Sequence, residues 1–182
     1  MVIVYVGAGW DVYALDASTG VELWSYATAF PVESSPAVAN GVVYVGSNDG
    51  SLYALDATTG AKLWSYPTGS NVESSPAVAN GLVYVGSYDG NMYALNAATG
   101  AKLWNYTTGR SVQSSPAVAN GVVYVGSEDN NMYALNARTG TKLWSHQFAG
   151  YVDSSPAVVN GVVYIGSDSY GGHGKVYAFA LK

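Results

Sequence analysis

Residues 54–64, Ala-Leu-Asp-Ala-Thr-Thr-Gly-Ala-Lys-Leu-Trp, form a stretch that returns with small changes at 14–24, 94–104 and 134–144. Each copy ends in a tryptophan, so these tryptophans stand 40 positions apart, at Trp24, Trp64, Trp104 and Trp144. A fixed period of this size predicts an array of equal supersecondary units, each too small to bury its apolar side alone.

One complete unit contains four short β-rich runs separated by turn residues. We name the runs strands A, B, C and D; in residues 34–73 they are 34–39, 42–47, 51–55 and 61–66. Asn-Gly pairs between A and B predict two-residue type I′ hairpins, at 40–41, 80–81, 120–121 and 160–161. Asp-Gly pairs between B and C, and Asp/Asn-Ala-x-Thr-Gly between C and D, supply the other turns. The unit is therefore predicted to be an antiparallel meander.

The apolar pattern of strand B indicates that both faces of this small sheet are covered. Residues 42–45 are apolar without alternation, whereas a half-exposed strand would alternate. A proline stands near the start of each strand A, where an edge strand facing a central channel tolerates it; these are Pro36, Pro76, Pro116 and Pro156. Four-stranded sheets, a 40-residue period and face-to-face stacking predict an all-β fold, a β-propeller.

The repeat count predicts about five blades in a single domain over residues 1–182. The units are 1–33, 34–73, 74–113, 114–153 and 154–182, of which the first lacks strand A and the last lacks strand D. Because Asn160-Gly161 is a two-residue turn, strand A of the last unit must pair with its own strand B, which disfavours a composite blade. We therefore expect the three-stranded end blades to meet face to face in a monomer. The alternative is an open arc that pairs with a second chain.

Composition excludes several classes of partner and site. Hydrophobic residues make up 49% and charged residues only 10%, and the net charge is −5. This balance argues against nucleic acid or an anionic membrane as a partner, since both require basic patches. The absence of cysteine excludes disulfides and thiolate metal sites. No signal peptide is visible, and the apolar runs are too short to span a bilayer.

The repeated motif resembles a known family of propeller repeats. The run A-L-D/N-A-x-T-G-x-x-L-W, preceded by S-S-P-A-V-x-N-G-x-V-Y-V/I-G-S, is similar to the PQQ-like repeat of pyrroloquinoline-quinone dehydrogenases and of the bacterial outer-membrane assembly lipoprotein. The resemblance implies tryptophan docking, in which Trp24, Trp64, Trp104 and Trp144 pack on a neighbouring blade near the Thr-Gly turns that end at Gly20, Gly60, Gly100 and Gly140. The family's propellers commonly have seven or eight blades.

The resemblance leaves an enzymatic alternative, a fragment or degenerate relative of a quinone-dependent dehydrogenase. Such an enzyme would need a cofactor in the channel, a calcium ion and a catalytic Asp. Here the recurring Asp16 and Asp56 become Asn96 and Asn136, which fits a turn better than catalysis. We therefore expect no catalytic residue and no cofactor. The preferred interpretation is a non-catalytic scaffold or protein-binding module, extracytoplasmic (periplasmic or cell surface) by resemblance.

One polar position recurs just before the Ser-Ser pair of each repeat, as Glu33, Glu73, Gln113 and Asp153. These side chains would form a partial acidic ring at one mouth of the channel. Carboxylates in a ring bind hard cations such as Ca²⁺ through oxygen. A solvated loop position that happens to be polar also explains the pattern, and we prefer this interpretation because propeller channels are usually filled with water.

Variable loops on a fixed frame are the remaining candidates for binding. They are the B–C loops 48–50, 88–90 and 128–130 and the longer loop 168–175. Tyr88, Tyr151 and Tyr170 are candidate contact residues, or simply cover surface. His146 replaces a tyrosine of the other repeats, which favours packing, and His173 alone makes no metal site.

Overall fold

The computed structural model describes residues 2–168 and 174–180, which form five consecutive antiparallel sheets. The first blade contains β1 (Ile3–Ala8), β2 (Asp11–Asp16) and β3 (Glu22–Ala27). The second contains β4 (Ala37–Ala39), β5 (Val42–Gly46), β6 (Ser51–Asp56) and β7 (Lys62–Pro67). The third contains β8 (Ala77–Ala79), β9 (Leu82–Gly86), β10 (Asn91–Asn96) and β11 (Lys102–Thr107).

The last two blades follow the same plan. The fourth contains β12 (Ala117–Ala119), β13 (Val122–Ser127), β14 (Asn131–Asn136) and β15 (Lys142–Gln147), and the fifth contains β16 (Ala157–Val159), β17 (Val162–Ser167) and β18 (Lys175–Ala180). In every sheet the strands pair in chain order. The predicted fold class is confirmed: an all-β propeller architecture of five blades, of which the first and last are three-stranded. No helix long and apolar enough to cross a membrane occurs within the described ranges.

The turns have the backbone conformations that their residues predict. Between strands A and B of the second blade, Asn40 has φ 51° and Gly41 has φ 75°, as a type I′ turn requires. Between C and D, the Asp56 carboxylate accepts hydrogen bonds from the amides of Thr58 and Thr59 at 3.0 and 2.8 Å. Each sheet is thus a meander held together by local turns.

The blades pack face to face, each through two different faces. In the second blade, Val43, Val45 and Leu55 point towards the preceding blade, and we call such a surface the leading face. On the opposite side, Tyr44, Leu52 and Ala54 pack on the following blade and form the trailing face. The contacting side chains are fully or almost fully buried. The core is therefore divided among the joints, where a trailing face meets a leading face.

The expectation that the end blades meet face to face is wrong. Val4 and Val6 on the leading face of the first blade are 48% and 37% exposed, whereas Val43 and Val45 in the second are 0% exposed. The trailing face of the fifth blade is also open, with Val176 79% exposed. The innermost strands β4, β8, β12 and β16 lie side by side in that order. The described chain is an open arc, because the rotation between neighbouring blades is set by their joint and not by the need to close a ring.

Candidate functional site

The repeated tryptophans dock on the C–D turn of the next blade. Trp24 Nε1 donates a hydrogen bond to the carbonyl oxygen of Ala57 at 3.1 Å. Its indole lies against Gly60, where an added Cβ would stand 2.7 Å from the ring. The same contacts recur for Trp64 with Ala97 and Gly100, and for Trp104 with Ala137 and Gly140. Tryptophan docking thus links each blade to the next.

The ends of the arc lack complete versions of this contact among the described residues. Gly20 has open space around it, with no described tryptophan packed against it. Trp144 packs against Phe179 and Tyr124, with ring centroids 5.7 and 6.2 Å away. The strand of the fifth blade that would precede a docking turn, β18, ends at Ala180.

A recurring tyrosine, which the sequence reasoning missed, reinforces each docking contact. The Tyr5 hydroxyl donates to the carbonyl oxygen of Ala57 at 2.8 Å, the same atom that accepts from Trp24. Tyr44 and Tyr84 repeat this contact in the next two joints, each at 3.0 Å. The signal was present in the sequence, since strand B carries a tyrosine at the same position in every repeat.

Serines of the Ser-Ser pairs connect the blades around the inner strands. The amide of Ser35 donates to Ser75 Oγ at 2.9 Å, and the amide of Ser75 donates to Ser115 Oγ at 2.9 Å. Ser115 continues the series to Ser155 at 3.0 Å. Each bond spans one repeat. The second serine of each Ser-Ser pair is therefore a structural connector between blades.

The B–C loop carboxylates also connect neighbouring blades. Asp89 accepts from the Tyr93 hydroxyl at 2.6 Å and from the Gly69 amide of the preceding blade at 2.8 Å. Asp129 repeats this pattern with Tyr133 and Gly109. Burial by itself raises the pKa of Asp89, but the hydrogen bonds from Tyr93 and the Gly69 amide outweigh it, so the pKa lies below the usual range. These aspartates act as ionised clamps.

Two of the four residues of the expected acidic ring bond to different partners. Glu73 accepts a hydrogen bond from the Tyr88 hydroxyl at 2.6 Å, and Gln113 donates to Glu128. Glu33 and Asp153 are exposed. Although the residue as a whole is exposed, partial desolvation of the Asp153 carboxyl, followed by the charges of Glu128 and Asp168, raises its pKa.

No three histidine or acidic side chains in residues 2–168 and 174–180 form a group that could hold a metal ion. Loop residues Tyr170 and His173 lie outside the described residues. Within the described loops, Arg110 donates to the Tyr151 hydroxyl at 3.0 Å, and its guanidinium lies 5.7 Å from the ring centroid.

An exposed aromatic pair stands at the loop end of the first blade. Trp10 and Phe30 stack with centroids 6.0 Å apart, and they are 56% and 55% exposed. Thr28 ties their two loops together, since its hydroxyl donates to the carbonyl oxygen of Trp10 at 2.8 Å. Trp10 lies outside the 40-residue spacing of the other tryptophans, and nothing in the sequence indicates its partner. Phe30 is the informative residue, because the corresponding positions of the second and third blades are Ser70 and Arg110.

Two open clefts lie between blades on the outer side of the arc. One of about 440 Å³ separates the fourth and fifth blades and is lined by Leu143, Trp144, His146 and Phe179. Another of about 650 Å³ separates the third and fourth and is lined by Leu82, Tyr84, Leu103 and Arg138. Neither set contains a carboxylate, so these linings offer no acid–base pair for hydrolysis or proton transfer.

The fold and the docking contacts define a class of protein, the PQQ-like β-propeller repeat proteins. The family model described as "Outer membrane protein assembly factor BamB" matches residues 2–75 and 68–182. The chain belongs to this family. A comparison with curated proteins finds no match.

Two solved structures show the same fold. The crystal structure of BamB from Moraxella catarrhalis is 24% identical, with a TM-score of 0.82 over 98% of this chain and 57% of that one. The computationally designed Ika8 protein is 23% identical, with a TM-score of 0.83 over 97% of this chain and 55% of that one. The chain thus spans little more than half the length of either structure.

Proposed function

We propose that this chain is a non-catalytic propeller scaffold that binds a protein partner. The observation that carries the proposal is that the recurring polar groups of the chain form hydrogen bonds within the protein. The serines, the C–D turn Asp and Asn residues and the B–C loop aspartates all serve hydrogen bonds within or between blades. A residue that makes the same internal hydrogen bond in every repeat fits a structural role. The residues that differ between repeats are therefore the candidates for binding a partner.

Family membership supports a role in assembly. The matched family is described as an outer membrane protein assembly factor, which is a binding activity and not a catalytic one. On this basis we place the chain on the extracytoplasmic side, in the periplasm or at the cell surface, with another protein as its partner. Fold alone does not determine function, so the binding surface has to be identified from its residues.

The loop surface that carries Trp10 and Phe30 is our candidate for partner binding. Large exposed aromatic side chains and arginine are enriched at the energetic centres of protein interfaces. Trp10 and Phe30 form such a pair, and Arg110 stacked on Tyr151 lies on equivalent loops further along the arc. The loops of Trp10 and Phe30 are anchored to each other, because both the amide and the hydroxyl of Thr28 donate to the carbonyl oxygen of Trp10, so binding would cost little ordering.

Site-specific photo-crosslinking tests this surface in cells. A photoreactive residue would replace Trp10, and as a control it would replace Thr58, which is exposed on a C–D turn. We expect a discrete crosslinked protein from position 10 and none from position 58. Equal crosslinking from both positions, or none from position 10, would contradict the assigned surface.

The enzymatic alternative, a degenerate quinone-dependent dehydrogenase, has a direct test. The protein would be titrated with pyrroloquinoline quinone and Ca²⁺ and then mixed with alcohols or sugars and an electron-accepting dye. The scaffold proposal predicts no saturable absorbance change and no dye reduction. Saturable binding followed by dye reduction would overturn it.

A further inference from the structure

The leading face of the first blade is an apolar surface that no blade in residues 2–168 and 174–180 covers. It consists of Val4, Val6, Tyr13 and Leu15, and we call it the leading end face. The register places Val4 opposite Leu15 and Val6 opposite Tyr13, as Val43 and Val45 lie opposite Leu55 and Tyr53 in the second blade. The second-blade set is packed on the preceding blade. The leading end face therefore has the same chemistry as an internal joint.

The fifth blade carries the complementary surface. Its trailing side consists of Tyr164, Val176 and Ala178, which we call the trailing end face. Tyr164 is 43% exposed, whereas its equivalents Tyr44 and Tyr84 are 2% and 1% exposed within joints. Val176 stands where the preceding blades have a buried Leu52, Met92 or Met132. Within the part of the chain that the structure describes, this surface is also a joint face without its partner.

The internal joints show what fits each end face. In all four joints a trailing face packs on a leading face, through clusters that contain residues of both blades. We propose that the trailing end face of one chain packs on the leading end face of a second copy, head to tail. The contact is heterologous, because the two end faces complement each other and not themselves. This inference does not depend on the proposed function.

One polar contact gives the proposal a specific register. In the joints, the strand B tyrosine donates its hydroxyl to the alanine carbonyl just after strand C of the next blade, as Tyr44 does to Ala97. The corresponding donor on the trailing end face is Tyr164, and the corresponding acceptor beside the leading end face is Ala17. The head-to-tail contact would pair these two groups across the copies.

The contact should be weaker than an internal joint. The fifth blade has no described strand equivalent to β7 or β11, which supply Trp64 and Trp104 to the joints. The association would therefore lack the docked indole and its hydrogen bond. We expect it to depend on protein concentration by mass action.

Complementary variants test the head-to-tail arrangement. Val4→Glu places a charge on the leading end face, and Val176→Glu places one on the trailing end face. Both positions are exposed, so the variants should fold, which circular dichroism would check. Each variant alone has one intact end face and should be a monomer of 18.9 kDa. Mixed together, they should form a 1:1 complex, because one supplies the trailing face and the other the leading face.

Light scattering after size exclusion at about 100 μM, where mass action favours association, gives the readout. Wild type and the control Leu63→Glu, altered on an outer strand, should have masses of at least twice 18.9 kDa. Tyr164→Phe should weaken the association about 2- to 10-fold, the effect of one net hydrogen bond. A monomeric wild type, a mixture that stays monomeric, or single variants that still associate would overturn the proposal.

Discussion

Truncation of Trp104 tests whether docking holds the blades together. The side chain is 8% exposed, donates to the carbonyl oxygen of Ala137 and covers Gly140. Removing roughly 250 Å² of buried surface at about 25 cal/mol per Å² gives an upper bound of about 6 kcal/mol. Large aromatic truncations in protein cores usually cost about 3–5 kcal/mol. We expect Trp104→Ala to fall in that range.

Two further variants separate the contributions of the hydrogen bond and of burial to the stability that docking provides. Trp104→Phe keeps an aromatic ring but removes the Nε1 donor, so the lost hydrogen bond should cost about 1 kcal/mol in addition to lost packing. Trp10→Ala removes a tryptophan that is more than half exposed, and it should cost about 1 kcal/mol or less. Urea unfolding followed by circular dichroism gives the free energies. Equal shifts for Trp104→Ala and Trp10→Ala would refute the account of docking.

Three further predictions concern the joints and the loop carboxylates. Gly140→Ala should lower stability more than Gly121→Ala, measured by thermal unfolding, because both have φ near 72–75° but only Gly140 faces an indole. The pKa values of Asp89 and Asp129 are lowered in the folded protein, so the ionised carboxylates stabilise the fold. This stabilisation is complete above the ordinary carboxyl pKa of about 4 and is lost as pH falls through the lowered pKa of the folded state. Asp89→Asn should therefore reduce stability at neutral pH and flatten its loss in acid, as urea midpoints across pH would show. Millimolar Ca²⁺ should leave the melting temperature unchanged, whereas a rise abolished by Gln at positions 33, 73 and 153 would establish a calcium site.

Much of the fold could be predicted because its determinants are local. The 40-residue period defines the blade, and Asn40-Gly41 defines its first turn through two positive φ values. The apolar run 42–45 indicates two covered faces, as in the second to fourth blades. These features depend on neighbouring residues and on packing that each repeat reproduces.

The open arc could not be predicted from the sequence, because it has no local determinant. Closure depends on the angle between blades, which arises from packing in the whole joint and has no signature in a single repeat. Excluding a composite blade from the two-residue turn Asn160-Gly161 left face-to-face closure as the expectation, and that expectation is wrong. The polar connectors were missed for a different reason: Ser35, Ser75 and Tyr44 recur visibly, but their partners lie 40 or more residues away. The Trp10–Phe30 pair was missed for the same reason, because it joins two separate loops of the first blade.

The distance between the two end faces is the most direct test of the open arc. The chain has no cysteine, so Val6→Cys and Val176→Cys can carry two spin labels at defined positions. Labelled protein diluted in unlabelled protein would report the distance within one chain by electron–electron double resonance. Packed sheets lie about 10 Å apart. The open arc predicts a separation of more than about 20 Å, enough for at least one missing sheet between the end faces. A separation near the spacing of two packed sheets would show a closed five-bladed ring and contradict the account.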